Sequence, residues 1–330
     1  MGIKNLNMYI KNNTNKTSIN KIFLASLYGK IIAVDTSIYL YRFLGEDALL
    51  ENMYIMLSLF RYYNITPIFI LDGKPPIEKL ELIKQRCNDK NDAEKQYNDI
   101  KDNLENIESL ENKKELCKKM QLLKKNFTRL KRKDYKQVLE LIDAFGMPYI
   151  EADGEADVLC AKLVIKKIAY ACLSEDMDLF VYGCTRVLRY LSLINKSVIL
   201  YDLNDILSDL NLSLKEFKEI CIISGTDYNI NNTVNTINIV DTVDNVDTVN
   251  LYKTFKYFEQ YKNSKYYNII DFYTWLDNNY NYIKNIYKLY DIYNLFSTSN
   301  VEFKKIKVKM KEINFDKVKE ILKTDGFVFL

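Results

Sequence analysis

Apolar residues fall along this chain in two alternating rhythms. Short β-branched and aliphatic runs at 31–34, 68–71, 168–173, 187–191 and 198–201 are the length of strands and predict segments buried on both faces. Between them, 53–63 and 134–145 carry apolar side chains at helical spacing, the second stopping at Gly146 before Pro148, the usual grammar of a helix end. Strand, helix and strand in this alternation predict an α/β fold: a mostly parallel, twisted sheet with helices on both faces.

The rhythm breaks twice. From 79 to 133 charged residues dominate, Gly and Pro are absent, and apolar positions recur sparsely. Such a segment forms helices that project from the sheet but supplies no core of its own. After Gly225 no glycine recurs until Gly326, and Asn, Tyr, Ile and Lys predominate. Within that stretch 241–249 is a low-complexity near-repeat, expected as a surface excursion, while 252–258 and 269–276 are expected to be helical. Four regions follow: an N-terminal region over 1–86, a helical insertion over 87–133, an internal region over 134–228 and a helical C-terminal region over 229–330.

Composition removes whole classes of chemistry. There is no histidine, so imidazole-based acyl transfer and His-liganded zinc are excluded. The six cysteines, with no Cys-x-x-Cys pair, argue against a zinc ribbon or a secreted disulfide framework and suit a reducing, intracellular setting. No apolar run reaches membrane-spanning length, and the start carries no signal-peptide pattern. Forty-seven Lys and Arg against 44 Asp and Glu leave a net charge of only +3, so any attraction to nucleic acid must come from where charge is placed. Between Lys118 and Lys136 there are nine Lys and Arg against one Asp, a local charge that suits phosphate binding. The 26 tyrosines read first as the signature of an AT-rich genome.

The candidate chemistry lies in the carboxylates. Ligands of parallel α/β sheets gather outside the C-terminal ends of the strands, and there fall Asp35, Asp72, the pair Asp176 and Asp178, and the pair Glu155 and Asp157; Asp227 follows a further apolar run and Gly225. If the backbone stays extended at 176–178, both aspartates face one side. Glu155 and Asp157 converge only if Glu155 stands in or before the first turn of the helix that follows. Seven acids at one crevice repel one another unless cations are present. Oxygen-only ligands favour Mg²⁺ or Mn²⁺, and several carboxylates suit two such ions. The expectation is metal-dependent phosphoryl chemistry.

At these residues the chain resembles the flap endonuclease family, the XPG-type structure-specific nucleases. The resemblance rests on 1–6 (MGIKNL), 34–39 (VDTSIY), 72–76 (DGKPP), 155–157 (EAD), 174–178 (SEDMD) and 225–228 (GTDY). It implies a PIN-like 5′-nuclease fold and an Mg²⁺-dependent enzyme with two ions that cuts branched DNA where a 5′ strand leaves a duplex, with 5′-to-3′ exonuclease character, in replication, repair or recombination. By that resemblance Asp35, Asp72, Glu155, Asp157, Asp176, Asp178 and Asp227 hold the metal, and Lys79 and Arg86 contact the scissile phosphate. Gly2, Tyr41, Lys124, Lys125, Arg129, Lys131 and Arg132 contact DNA, and 87–133 is a helical arch. Tyr41 has a competing reading as a core residue beside Leu40 and Phe43.

Two departures stand out. The family's Gly-rich hairpin after the last aspartate has no counterpart, because 229–249 contains no glycine. Gln260, Tyr266 and Tyr267 have the outer spacing of a sliding-clamp motif, but Asn263 replaces its aliphatic residue, so no clamp partner is expected, and the chain is expected to act as a monomer in the nucleus or at a viral replication site. A PIN-like ribonuclease, and a catalytically inactive branched-DNA scaffold, are the competing functions.

Overall fold

The computed structural model of the chain describes residues 2–104, 110–228, 249–280, 283–298 and 308–328. Helix α1 (Leu6–Asn13) and edge strand β1 (Ile19–Phe23) precede the first core strand, β2 (Ile31–Asp35). Helices α2 (Thr36–Gly45) and α3 (Leu49–Tyr62) lead to β3 (Thr66–Leu71). A 3-10 turn (Ile77–Lys79) then opens a pair of long helices, α4 (Leu80–Asn103) and α5 (Leu110–Phe127), and α6 (Arg132–Ala144) returns the chain to β4 (Tyr149–Glu151). Next come α7 (Ala156–Ile165), β5 (Ala171–Leu173), the short α8 (Asp178–Val181), β6 (Arg186–Ser192), β7 (Ser197–Asp202), α9 (Leu203–Asp209) and α10 (Leu214–Ser224). The C-terminal region supplies α11 (Val249–Lys262), α12 (Phe272–Asn279), α13 (Ile286–Leu295) and α14 (Phe315–Lys323).

The sheet runs β1-β7-β6-β5-β2-β3-β4. The five strands from β6 to β4 are parallel, whereas β7 pairs antiparallel with both β6 and β1. The chain proceeds from β2 outward to β3 and β4, then resumes on the other side of β2 at β5. The order therefore reverses beside β2, and this is where an open α/β sheet leaves a crevice at its C-terminal edge.

Side chains alternate across the pleat as the period of two requires. Ile32, Val34, Phe69, Ala171 and Leu173 enter a core packed by α2, α3, α6 and α14. Ala33, Ile68, Ile70 and Cys172 enter the other core, with α1, α7, α10 and α11 to α13. Both faces are covered, which explains why these strands read as continuous apolar runs.

The structure departs from the sequence expectation at its edges. β1 was not foreseen: its residues alternate only weakly, with three of five exposed, because it is an edge strand held by backbone pairing to β7. The run at 168–173 is strand only from Ala171; Lys167 turns left-handed at φ 58°, and the amides of Ile168 and Ala169 bond back to the Leu163 carbonyl as a helix terminus. The helix expected over 269–276 begins at Phe272, since Asp271 accepts from the Thr274 amide and fixes the start there. All but Val249 of the repeat at 241–249 and of the glycine-free stretch at 229–249 lies outside the described residues.

The charged segment forms two helices packed on each other. Tyr97 meets Phe127 edge-on at 5.3 Å, Arg129 binds Glu94 at 2.8 Å and Asn91 at 2.6 Å, and Ala93 is buried. Lys124 reaches Asp47 at 2.6 Å, and the Lys90 ammonium lies 4.9 Å from the centre of the Tyr41 ring. These contacts tie the pair of helices to α2 and to the turn that follows it. From the other end of the sequence, the segment before α14 runs along the end of α6: Lys311 donates its amide to Gly146 O, Asn314 its amide to Ala144 O, and Arg61 donates to the carbonyls of Phe145 and Lys311.

Candidate active site

The C-terminal ends of β2, β3 and β5 bring the first acids together. Asp35 ends β2, is 5% exposed, and accepts a 2.8 Å hydrogen bond from the Ser174 hydroxyl. Asp72 follows β3 and accepts from the Ala156 amide at 2.9 Å, so it caps α7 from a neighbouring loop. Backbone close approach makes this possible: Gly73 donates its amide to Gly154 O at 2.7 Å, and a Cβ at Gly73 would stand 1.9 Å from Ala152 O. Only glycine tolerates that contact.

Glu155 is the residue before α7, in extended conformation at φ −76°, ψ 140°, and Asp157 lies in the first turn. This is the arrangement that convergence of the two required. Asp176 and Asp178 meet differently from the extended segment expected, for β5 ends at Leu173 and α8 begins at Asp178. Asp176 accepts from the Asp178 amide at 3.0 Å and donates its own amide to Ser174 Oγ at 3.1 Å. A tight turn, in place of a strand, aims both carboxylates inward.

Burial sets the electrostatics. It pushes the Asp35 carboxyl up to about 7, opposed by the Ser174 hydrogen bond and reinforced by the charges of Asp72 and Asp176. Burial lifts Asp157 well above the usual carboxylate range, with Glu155 adding repulsion and Lys79 opposing. Asp178 is lifted likewise, by burial and then by Asp176 and Asp227, and Asp176 is raised by burial, with Asp227 contributing. Each acid therefore feels others of the set, as carboxylates sharing one crevice must.

Two cations answer them. Lys79 Nζ donates to Glu155 Oε1 at 2.7 Å with its side chain 9% exposed. Burial works to lower its pKa, but Asp157 and Glu155 outweigh burial and keep it charged. Arg86 Nη2 binds Asp227 Oδ2 at 2.8 Å. Lys79 closes the 3-10 turn and Arg86 lies in the second turn of α4, so the charged helix begins directly at the site.

Asp178 Oδ1 is buried without any hydrogen-bond partner, which is costly for a carboxylate oxygen. Gly2, at φ 74°, packs against it: a Cβ there would stand 2.5 Å from Asp176 Oδ1 and 2.6 Å from Asp178 Oδ1. Among the described residues no three acids or cysteines stand close enough together to hold a metal ion as they are placed; the acids are joined instead by their charges, Asp35 with Asp72 and Asp176, and Asp178 with Asp176, Asp227 and Glu155. An all-oxygen rim with mutual repulsion and one orphaned buried oxygen fits hard divalent cations. Asp178, Asp176, Asp157, Asp35, Glu155, Asp72 and Asp227 are the side chains available to hold them.

The expected DNA-contacting residues are spread over a wider surface. Tyr41 is 47% exposed, so its core reading fails; the buried aromatics of α2 are Tyr39 and Phe43. Lys125, Lys131 and Arg132 reach solvent, and the Lys131 amide is capped by Asp134 at 3.0 Å. Lys124 and Arg129 are engaged with Asp47 and with Glu94 and Asn91 as described. Sequence reasoning gave no role to Ser174, which bridges Asp35 and Asp176, or to Tyr228, whose hydroxyl donates to Glu155 Oε2 at 2.7 Å. The adjacency of Tyr228 to Asp227 was the available signal.

Residues 1–93 match the XPG N-terminal domain and 146–227 the XPG I-region. The chain is 32% identical to Flap endonuclease 1 of Methanococcus aeolicus over 225 residues, 63% of this chain and 66% of the relative. It is 32% identical to Flap endonuclease 1 of Zea mays over 247 residues, 69% of this chain and 62% of the relative. The match thus spans less than two thirds of either relative's length. In structure it is similar to the catalytic core of Rad2 in complex with DNA substrate, with a TM-score of 0.62 and 22% identity over 99% of this chain and 95% of that one. The flap endonuclease-1 of Methanococcus jannaschii gives a TM-score of 0.52 and 22% identity over 93% and 90%. These likenesses establish the mostly parallel α/β nuclease fold.

Proposed function

Because this chain belongs to the XPG-type flap endonuclease family, we propose that it is a divalent-metal-dependent, structure-specific DNA endonuclease that cuts where a 5′ single strand leaves a duplex, with 5′-to-3′ exonuclease character. The observation that carries this reading is the unpartnered Asp178 Oδ1, buried in a rim of acids and faced by two cations. When bound, two Mg²⁺ or Mn²⁺ ions would supply an activated water and stabilisation of the leaving oxygen.

The chain's own groups do the rest. Asp176 and Asp178, held by the turn at Ser174, and Asp35, held by the same hydroxyl, form the rigid wall against which a phosphodiester is placed. Lys79 at the end of the 3-10 turn and Arg86 in the second turn of α4 bring positive charge to the rim, where they can draw a phosphate in and offset the charge that grows on its oxygens. Lys125 near the end of α5, with Lys131 and Arg132 at the start of α6, extends the positive surface beyond the rim, where backbone phosphates are held in a salt-dependent manner. Exposed Tyr41 offers its ring to a base at the foot of the helical pair. No sliding clamp is assigned: Gln260 accepts from the Tyr280 hydroxyl and Tyr267 donates to Glu216, so both are held in the helical packing. Among the described residues no helix is long and apolar enough to cross a membrane.

The test is single-turnover cleavage of matched DNA and RNA 5′ flaps with Mg²⁺, with EDTA, and with Asp178→Ala. Metal-dependent cleavage of the DNA flap by the wild type and its loss in the variant are expected. Cleavage confined to RNA would overturn the substrate assignment, and tight flap binding without cleavage would overturn the enzymatic one.

A further inference from the structure

Tyr228 stands at the meeting point of three parts of the site. Its hydroxyl donates to Glu155 Oε2 at 2.7 Å while Lys79 holds the other oxygen, Oε1, at 2.7 Å. The Lys79 ammonium lies 4.6 Å from the centre of the Tyr228 ring, within range of a cation–π attraction. In sequence it adjoins Asp227, the partner of Arg86. One side chain thus touches an acid of the rim, the buried cation, and the backbone that carries the last carboxylate.

The far side of Tyr228 is equally fixed. Its ring meets Phe296 edge-on at 5.3 Å, and Phe296 also packs on Tyr182 at 4.9 Å, whose hydroxyl is 3.4 Å from that of Tyr228. Phe296 follows α13, and its carbonyl accepts from Lys218 Nζ of α10 at 2.6 Å. An aromatic wedge from the C-terminal region therefore backs the tyrosine that holds Glu155 at the rim.

We infer that Tyr228 is a positioning residue: its hydroxyl orients the Glu155 carboxylate, its ring seats the Lys79 ammonium, and the Phe296 wedge holds it in place. A carboxylate gripped at both oxygens by Lys79 and Tyr228 has one orientation left to offer the rim. Removing the hydroxyl frees that orientation while leaving the seat of Lys79; removing the ring takes both. Partners of this kind behind a metal-binding carboxylate characteristically cost about 10–100-fold in metal affinity or activity when lost.

The inference rests on the nuclease reading, and its test separates the two. Wild type, Tyr228→Phe and Tyr228→Leu are compared by single-turnover flap cleavage, by flap-DNA affinity in Ca²⁺, by direct Mn²⁺ titration followed by electron paramagnetic resonance, and by thermal melting. Tyr228→Phe is expected to weaken Mn²⁺ binding and slow cleavage about 10-fold, and Tyr228→Leu to slow it about 100-fold, with DNA affinity unchanged. In Lys79→Ala, the further change of Tyr228 from Phe to Leu is expected to have no effect, because the seated ammonium is gone. Wild-type Mn²⁺ affinity and cleavage in both variants, or losses that merely follow melting temperature, would overturn the assignment to Tyr228. Absence of cleavage by the wild type would instead overturn the nuclease reading.

Discussion

Asp178 carries the most exposed physical consequence of the site at the scale of one residue. It keeps a carboxylate at 1% exposure with one oxygen unsatisfied, beside Asp176, an arrangement that destabilises the metal-free protein. Asp178→Asn removes the repulsion at nearly constant shape. It is expected to raise metal-free stability by about 1–3 kcal/mol in urea unfolding with EDTA, while lowering metal-dependent cleavage at least about 100-fold, the upper end of what an outer partner costs. Opposite signs in stability and activity distinguish a functional acid from a structural one. Gly2→Ala behaves differently. Its new Cβ would stand 2.5 Å from Asp176 Oδ1 in a left-handed backbone, so cleavage should fall, with a backbone cost of about 1–2 kcal/mol in urea unfolding.

At the scale of elements, the paired helices α4 and α5 pack chiefly on each other, with polar ties to Asp47, Tyr41 and Asp227 at the body of the molecule. Tyr97→Ala deletes the ring contact with Phe127, about 0.5–1.5 kcal/mol beyond lost area. Limited proteolysis should then cut within α4 or α5 several-fold faster, with the unfolding of the sheet unchanged. A coincident loss of global stability would show the pair to be integral to the core. Here too the sequence was readable in part. Core strands β2 and β3 and helices α3 and α6 stood out because burial on one or both faces imposes an apolar period. β1 did not, because an edge strand needs only backbone partners. The turn from Ser174 to Asp178 could be placed from sequence but not shaped, since hydroxyl-to-amide bonds leave no periodic trace. Tyr228 was marked only by its place beside Asp227: its partners Glu155, Lys79 and Phe296 are 73, 149 and 68 positions away, and no local pattern assigns it their company.

The whole molecule is joined by helices whose buried charges make it sensitive to pH. On α10, burial pushes Glu219 up from 4.5 to about 7, with Lys215 opposing, and burial pulls Lys218 down from 10.5 to about 8. Between pH 4.5 and 7 the folded protein binds more protons at Glu219 than the unfolded chain, so this group's contribution falls as pH rises. Between pH 8 and 10.5 the unfolded chain binds more at Lys218, so that contribution rises with pH. Glu219→Gln should flatten the fall between pH 5 and 7.5 by at most about 3 kcal/mol, read from urea unfolding at the two pH values. At the opposite face, the contact of the C-terminal segment with the end of α6 depends on Gly146, at φ 63° with Lys311 O 2.6 Å from the position of a Cβ. Gly146→Ala should cost at least about 1–2 kcal/mol from backbone strain alone, and a variant of undiminished stability would show that the contact is not held there.

Gly73 has a consequence that reaches past its own loop. Since its amide is bonded to Gly154 O, and the Asp72 carboxylate to the Ala156 amide, the two loops that bear Asp72 and Glu155 are splinted into one rigid body. Amide protons at Gly73 and Ala156 should accordingly exchange together and slowly, although both lie on connections between elements. A chimera that imports the loop bearing Asp72 from a nuclease with a bulkier residue at position 73 would carry a collision with Ala152 O.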